Sequence, residues 1–544
     1  MSIIVPAVTL LRPLPRRLSR VLCAVILVGW VAQMGWLLRT ASARTALSGD
    51  LARYGSAAQW KGIYYRGEKI GFSVSETLPV GDGFELREDA QIQMALLGST
   101  SPVRLVTVAR VDAGFDLKGF TFSLDPGTGP ITIDGTIDGK RLSLAITTGG
   151  SPRTEQRELD EPPNLSLNLM RRFAASGLET GKTLDALVFD PATMRNAPLH
   201  IEVEGRELVR AADRPIPAFR VRSQFGSMTS HSWITDLGEV VREESPTGFI
   251  VVRETRERAT ARAVTGQVQT DLLESVAIKP TLAEPIHDPR DVRCLRLRLE
   301  SPNMPAELEL DGVGQRLLPS GEVELYLSTA EPTAALEDMA AFLKPEPFIE
   351  SDAPEILAEA QKAVARATSP AARVEQLTRH VSALLEKKPT IGLPSAREVL
   401  RTGVGDCNEH TALYVAMARA LGIPARIAVG VVFMHGAFYY HAWPEAYVEE
   451  RPGRARWLAV DPTLNQFPAD ATHLRLTRGG LDRQAMILPL IGNATMTVVD
   501  MEVRPDSTPI LVGRAGRGAG VAPSFTAPMP RRTGGRRSCW SPPE

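Results

Sequence analysis

Gly403-Val404-Gly405-Asp406-Cys407-Asn408-Glu409-His410-Thr411 leads into an apolar stretch, residues 412–421, that stops at Gly422-Ile423-Pro424. A glycine-rich turn here delivers a cysteine to the start of a helix, with Gly422 as the helix stop and Pro424 beyond it. That position carries chemistry. A thiol is weakly ionised at neutral pH, and the unpaired N–H groups and positive dipole end of a helix favour its thiolate. A nearby imidazolium would favour it more strongly.

The imidazole stands 34 residues on, in Phe438-Tyr439-Tyr440-His441-Ala442-Trp443-Pro444-Glu445-Ala446-Tyr447-Val448, a strand-like run. After the turn Arg451-Pro452-Gly453-Arg454, the run Arg456-Trp457-Leu458-Ala459-Val460-Asp461-Pro462-Thr463 reads as a short strand ending in a carboxylate 20 residues after the histidine. Antiparallel pairing of the two strands sets Asp461 beside His441. A buried carboxylate on one imidazole nitrogen fixes the tautomer and leaves the other nitrogen for the thiol. Cys407, His441 and Asp461 are therefore the candidate catalytic residues.

Rival uses of these residues are weaker. Asp406, Asn408, Glu409 and His410 read as helix-capping or solvated groups, and Trp443 as a shield beside the histidine. A zinc set of Cys407, His410, His441 and Asp461 is conceivable from residue types, but the histidine and aspartate already account for each other, and no metal or other cofactor is expected. The backbone N–H of Cys407 is the candidate oxyanion donor, with no side-chain donor assigned.

GDCNEHT, ALGIPAR, HAWPEAYV and WLAVDPT, in that order, resemble bacterial members of the transglutaminase-like superfamily over residues 350–480. The resemblance implies an α+β, papain-like, transglutaminase-type catalytic domain, with the nucleophile on Cys407, the general base and acid on His441 and the orienting carboxylate on Asp461. The stretch from Asp461 to His473 is also similar to exported bacterial relatives with a β-rich N-terminal region. The implied chemistry is that of a cysteine peptidase, amidase or acyltransferase acting on amide bonds of peptides or proteins through an acyl-thioenzyme. Two alternatives stay open: a protein-crosslinking transglutaminase, for which no calcium-binding loop is recognisable, and a catalytically inactive binding or scaffold protein of the cell envelope.

Composition bounds the rest. The 544 residues suggest roughly three or four domains. Apolar residues at 43% and charged residues at 23% are ordinary for a folded chain. With 62 basic against 63 acidic residues, no global field attracts nucleic acid or an anionic surface.

At the N-terminus Arg12, Arg16, Arg17 and Arg20 precede an uncharged run, residues 21–38, closed by Arg39. Its length suits a single membrane-spanning anchor better than a cleavable signal, with the stub inside and residues after about 44 facing the periplasm. The competing reading is cleavage after Ala41-Ser42-Ala43, which exports a soluble chain. The expected partners are a peptide or protein substrate in the cell envelope and the inner membrane, with no nucleic acid.

The expected organisation is a stub and signal-anchor over residues 1–44, a β-rich domain over 45–280, a small β segment over 281–345, the catalytic domain over 346–498 and a disordered tail over 499–544. Within the β-rich part, residues 131–137 and 141–148 flank Asp138-Gly139, a hairpin signal. Leu165, Leu169, Met170 and Phe173 share one helical face there, read as core. Of the four cysteines, Cys23 falls in the anchor, Cys539 in the tail, and Cys294 in an alternating run that reads as a buried structural thiol.

Overall fold

Alternation builds most of the chain. In the strand Arg141–Thr148, Leu142, Leu144 and Ile146 are buried while the residues between them are more open, each buried side chain contributing about 1.5–3 kcal/mol. The strand pairs with Ile131–Asp138 down to Asp138 opposite Arg141, so a hairpin forms as expected but its two-residue turn is Gly139-Lys140, one residue beyond the expected Asp138-Gly139, and Gly139 takes the positive φ of 59° that the turn requires. This computed structural model describes residues 58–504, apart from 97–98, 128, 149–151, 226–227, 262–270, 303, 306, 328–338, 389–391, 452–453, 485–486, 488–489 and 491–492. The anchor expected at residues 21–38, Cys23, Cys539 and the tail from residue 505 lie outside the described residues. Among the described residues no helix is long and apolar enough to cross a membrane.

Fourteen antiparallel strands form one sheet. The first eight, from Gln59–Tyr65 to Arg153–Glu158, run as a meander. The helix Ser166–Ala175 follows, then six more strands from Thr183–Asp190 to Phe249–Glu254. The last pairs with the first, Trp60 opposite Glu254 through Tyr65 opposite Phe249, and joins the two meanders. As expected, the helix turns Leu169 and Phe173 inward, onto Val203, Val221 and Ile234. The chain as a whole is mostly β, with the longer C-terminal helices gathered between residues 354 and 420.

A second sheet orders Gln315–Leu317, Val323–Tyr326, Val292–Glu300 and Thr495–Val503. Its last strand returns from beyond the catalytic region and runs across the 498/499 boundary drawn from sequence. Leu295, Leu297, Val323 and Leu325 share one core with the helices and sheet of the catalytic region. Cys294 is buried here, but it is disulfide-bonded rather than a free thiol, and its partner lies outside the described residues.

The helices Pro354–Ala363, Pro370–Leu384 and Ala396–Thr402 pack around the helix Cys407–Ala420. That helix is buried so completely that every residue from Ala412 to Ala418 is 0% exposed, which explains its lack of a polar face. It lies on a third sheet, ordered Arg454–Ala459, Ala437–Arg451, Ala425–Met434 and Leu474–Arg478.

The fourteen-stranded sheet is joined to this region through the segments that lead to Cys407. Leu393 is buried among Leu86, Phe120, Leu142 and Leu144 of the large sheet, with Phe348 beside it. Ser395 donates to Glu350 at 2.6 Å while capping the helix Ala396–Thr402, and Thr148 of the large sheet reaches the same carboxylate oxygen at 3.5 Å. Arg153 pairs with Asp352 at 3.2 Å. Leu393→Ala is expected to destabilise the fold by about 2–5 kcal/mol and to loosen the turn before the nucleophile. Denaturant unfolding of the variant measures the first effect, and protease nicking near residue 393 the second.

Candidate active site

Asp406 starts the cysteine helix. Its side chain accepts the Asn408 N–H at 3.0 Å, and Glu409 reaches back to accept the Asp406 N–H at 3.0 Å, a reciprocal capping box. Gly405 makes this closure feasible, because a Cβ there would stand 2.3 Å from that of Glu409. Cys407 is thus the first residue of the helix, as the sequence predicts, and its side chain is half-buried.

The histidine strand lies beside it. Thr411 donates to the carbonyl of Ala442 at 3.0 Å, and the Ala442 backbone is hydrogen-bonded to the Cys407 thiol. The cysteine is therefore held against the residue that follows His441. Pairing of Ala437–Arg451 with Arg454–Ala459 runs from Arg451 opposite Arg454 to Glu445 opposite Ala459, and Asp461 lies just past that last pair. The Nε2–H of His441 donates to Asp461 Oδ2 at 2.8 Å, since a carboxylate can only accept. Nδ1 is left for the thiol. Both side chains are buried, His441 at 3% and Asp461 at 0% exposure.

The thiol departs from expectation in one respect. Burial first, then the carboxylates of Asp406, Glu409 and Asp461, push its pKa well above the ordinary thiol value, and the hydrogen bond from Ala442 only partly opposes them. Burial and the capping carboxylates thus oppose the thiolate that a helix start favours. Alkylation of Cys407 by iodoacetamide is expected to accelerate as pH rises past the ordinary thiol range, with Cys294 unlabelled until reductant is added. Peptide mapping across pH checks both.

Two groups that sequence reasoning passed over belong to the same hydrogen-bond chain. His473 Nε2 lies 3.2 Å from Asp461 Oδ2, and its Nδ1 lies 3.1 Å from the Asp470 carbonyl and 3.2 Å from Asp470 Oδ1. Burial alone would raise the Asp461 carboxyl, but the charge and hydrogen bond of His441, followed by those of His473, hold it well below the usual range. Burial would likewise lower His473, yet Asp470 and Asp461 push it up to about 10. The aspartate is further tethered by the Leu464 N–H at 2.9 Å. The signal available in sequence was the Asp470-x-x-His473 spacing downstream of Asp461, but nothing local says that this loop folds back beneath the histidine strand.

The ligand atoms of His441, Asp461 and His473 lie within 4.8 Å of one another. They converge because they are hydrogen-bonded together, and both His473 nitrogens already face acceptors. Cys407 and His410 are not in that group; His410 Nδ1 instead meets the Asp406 carbonyl at 2.7 Å. The zinc set considered from residue types is not what gathers here.

The strand itself is pinned by charge. Glu445 is 1% exposed and meets Arg426 at 2.7 Å, Arg478 at 2.8 Å and Arg475 at 3.1 Å. Burial would raise its carboxyl, but Arg478, Arg475 and Arg426 bring it down to about 2. Tyr440, one residue before His441, donates to Gln484 at 2.7 Å. Burial and the Cys407, Asp406 and Glu409 charges push its phenol well up, so it stays a neutral donor. Gln484, Asn408 and Thr411 line a cleft of about 310 Å³ whose other wall includes Arg157, Met194 and Arg195 of the large sheet.

A cysteine at a helix start, beside a strand carrying a carboxylate-held histidine, is the arrangement against which known proteins can be compared. Residues 358–462 match the model of the transglutaminase-like superfamily. This chain carries a transglutaminase-like domain. The match spans the nucleophile helix, His441 and Asp461, while His473 lies beyond it. Uncharacterized proteins of Mycobacterium bovis and Mycobacterium tuberculosis are each 31% identical to it over 119 residues, 20% of this chain. The chain covers 37% of the length of those relatives. Among solved structures, the periplasmic domain of TgpA from Pseudomonas aeruginosa, bound to ethylmercury, is similar at 18% identity and a TM-score of 0.22, over 37% of this chain and 87% of that one. A β-barrel-like protein of a domain of unknown function from Brucella abortus is similar at 12% identity and a TM-score of 0.28, over 36% of this chain and 95% of that one. At such scores neither likeness bears on what the transglutaminase-like domain does.

Proposed function

We propose that the protein is a membrane-anchored, exported cysteine enzyme in which Cys407, His441 and Asp461 cleave or transfer amide-linked acyl groups of envelope peptides or proteins. The observation that carries this reading is the buried 2.8 Å contact of His441 with Asp461 on the strand whose next residue bonds the Cys407 thiol. Substrate binding brings a carbonyl carbon to Cys407, and His441 Nδ1 takes the thiol proton as sulfur attacks. The new oxyanion faces the backbone N–H of Cys407 at the helix start. Imidazolium His441 then gives its proton to the leaving amine, and an acyl-thioenzyme remains. Water as acceptor completes hydrolysis, while an amine completes transamidation. In this reading residues 21–38 anchor the enzyme in the inner membrane, with the stub before them inside and residues after about 44 in the periplasm.

The test is mass spectrometry of a peptide library incubated with the chain. New termini or deamidated residues that require Cys407 support the reading, crosslinked peptides assign it to transamidation, and an unchanged library sinks the enzyme reading in favour of a scaffold.

A further inference from the structure

The proposed chemistry uses three side chains, yet the hydrogen-bond chain beneath them has a fourth titratable member. Asp470 accepts throughout, from the Thr472 N–H at 2.9 Å and hydroxyl at 2.6 Å and from Gln466 Nε2 at 2.7 Å, so it offers His473 no proton. Asp461 accepts from Leu464 and His441 in the same way. Both ring nitrogens of His473 therefore face atoms that can only accept, and both must carry hydrogen. His473 is 7% exposed and sets its ring edge-on to Trp443, with centroids 5.0 Å apart and planes at 79°.

We propose that His473 is a positioning residue, a standing imidazolium clamped between Asp461 and Asp470 that fixes the triad carboxylate and offsets its charge upon His441. This deepens the catalytic reading above and rests on it. The charged groups that face His473 are Asp470 from its own loop, Asp461 from the turn after the aspartate strand, and His441 from the histidine strand. Glu445, further along that strand, is matched by Arg426, Arg475 and Arg478. Across the site stand Cys407, Asp406 and Glu409. When His441 takes the thiol proton, its own charge and that of His473 balance the two aspartates. Without His473 the same step would leave a buried carboxylate uncompensated.

His473→Gln keeps an N–H for Asp461 but removes the charge, and the rings of His441 and His473 are 5.8 Å apart. The bare carboxylate should then retain the proton on His441, moving the acid limb of activity to higher pH by about one unit. Turnover should fall about tenfold with KM unchanged, because the loss falls on proton transfer rather than substrate binding. A merely structural role would reduce the active fraction without moving the limb.

The experiment is a pH profile of kcat/KM for the full chain and His473→Gln. It is paired with nitrogen-resolved NMR of the wild-type chain labelled at its 8 histidines. Two N–H signals on His473 at pH 8 and a raised acid limb in the variant are expected. A single N–H on His473, or an unmoved limb in folded variant, overturns the proposal. If the variant does not fold, the NMR measurement alone decides. If the wild-type chain shows no turnover, the catalytic reading fails, while the N–H count still tests the charge of His473.

Discussion

Cys407→Ala is expected to abolish turnover, a loss of about 10⁶-fold on the scale seen when the nucleophile of a cooperating triad is removed. Folding should barely change. The side chain is half-buried at a helix start, and alanine keeps the backbone N–H groups, the Asp406–Glu409 cap and the Thr411 bond to Ala442. The substitution also removes a thiol whose ionisation burial and three nearby carboxylates oppose. Near-native thermal unfolding together with turnover at background is the expected pair. Residual turnover within about tenfold of wild type would place the nucleophile elsewhere.

Asp461→Asn should be damaging for two separable reasons. Asp461 Oδ2 accepts from both His441 and His473, at 2.8 and 3.2 Å, while Oδ1 accepts the Leu464 N–H at 2.9 Å, so an amide that keeps its one oxygen on Leu464 turns its NH2 toward the two histidines. With His441 forced toward the wrong tautomer, activity should drop. The loss should stay below the roughly 10⁴-fold seen when the carboxylate of a serine triad is amidated, since a thiol needs less help than a hydroxyl. Stability should fall as well, because His473 keeps its charge while losing one of its two carboxylates. Active-site titration separates lost catalysis from lost folded protein. Activity unchanged in folded Asp461→Asn would show that another group orients His441.

The same buried pairing gives stability a pH signature. His473 is raised from its ordinary value to about 10 by Asp470 and Asp461. Its contribution is therefore fully present below about pH 6.5 and is lost as pH rises through about 10. The aspartates, held low, act in the opposite window, and their contribution fades only as acid protonates them. Wild type should thus lose stability on the alkaline side more steeply than His473→Gln, as denaturant unfolding across pH would register.

What could be read from the residues was local. Gly139 encodes its turn, one residue later than read, through its backbone freedom, and Asp406 with Glu409 encodes the helix start that presents Cys407. His441 and Asp461 were legible as a pair because the strands carrying them are neighbours joined by a short turn. The pairing of Gln59–Tyr65 with Phe249–Glu254 was not legible, because a period of two says which face is buried and not which strand lies alongside. Nothing local marks Leu393, which fills a core it shares with Leu86, Phe120, Leu142 and Leu144 of the large sheet. His473 was missed for the same reason: its role depends on a loop that returns beneath the histidine strand. The thiol expectation erred because the sulfur is buried and the carboxylates that cap the helix also stand beside it.

The central claim is that Cys407 forms a covalent acyl intermediate, and intact-mass spectrometry of the chain mixed with an activated acyl ester tests it most directly. One added acyl group, mapped to Cys407, released by hydroxylamine and absent from Cys407→Ala, is the predicted result. Product formed with no such adduct under rapid quenching, or an adduct on another residue that persists in Cys407→Ala, would contradict it.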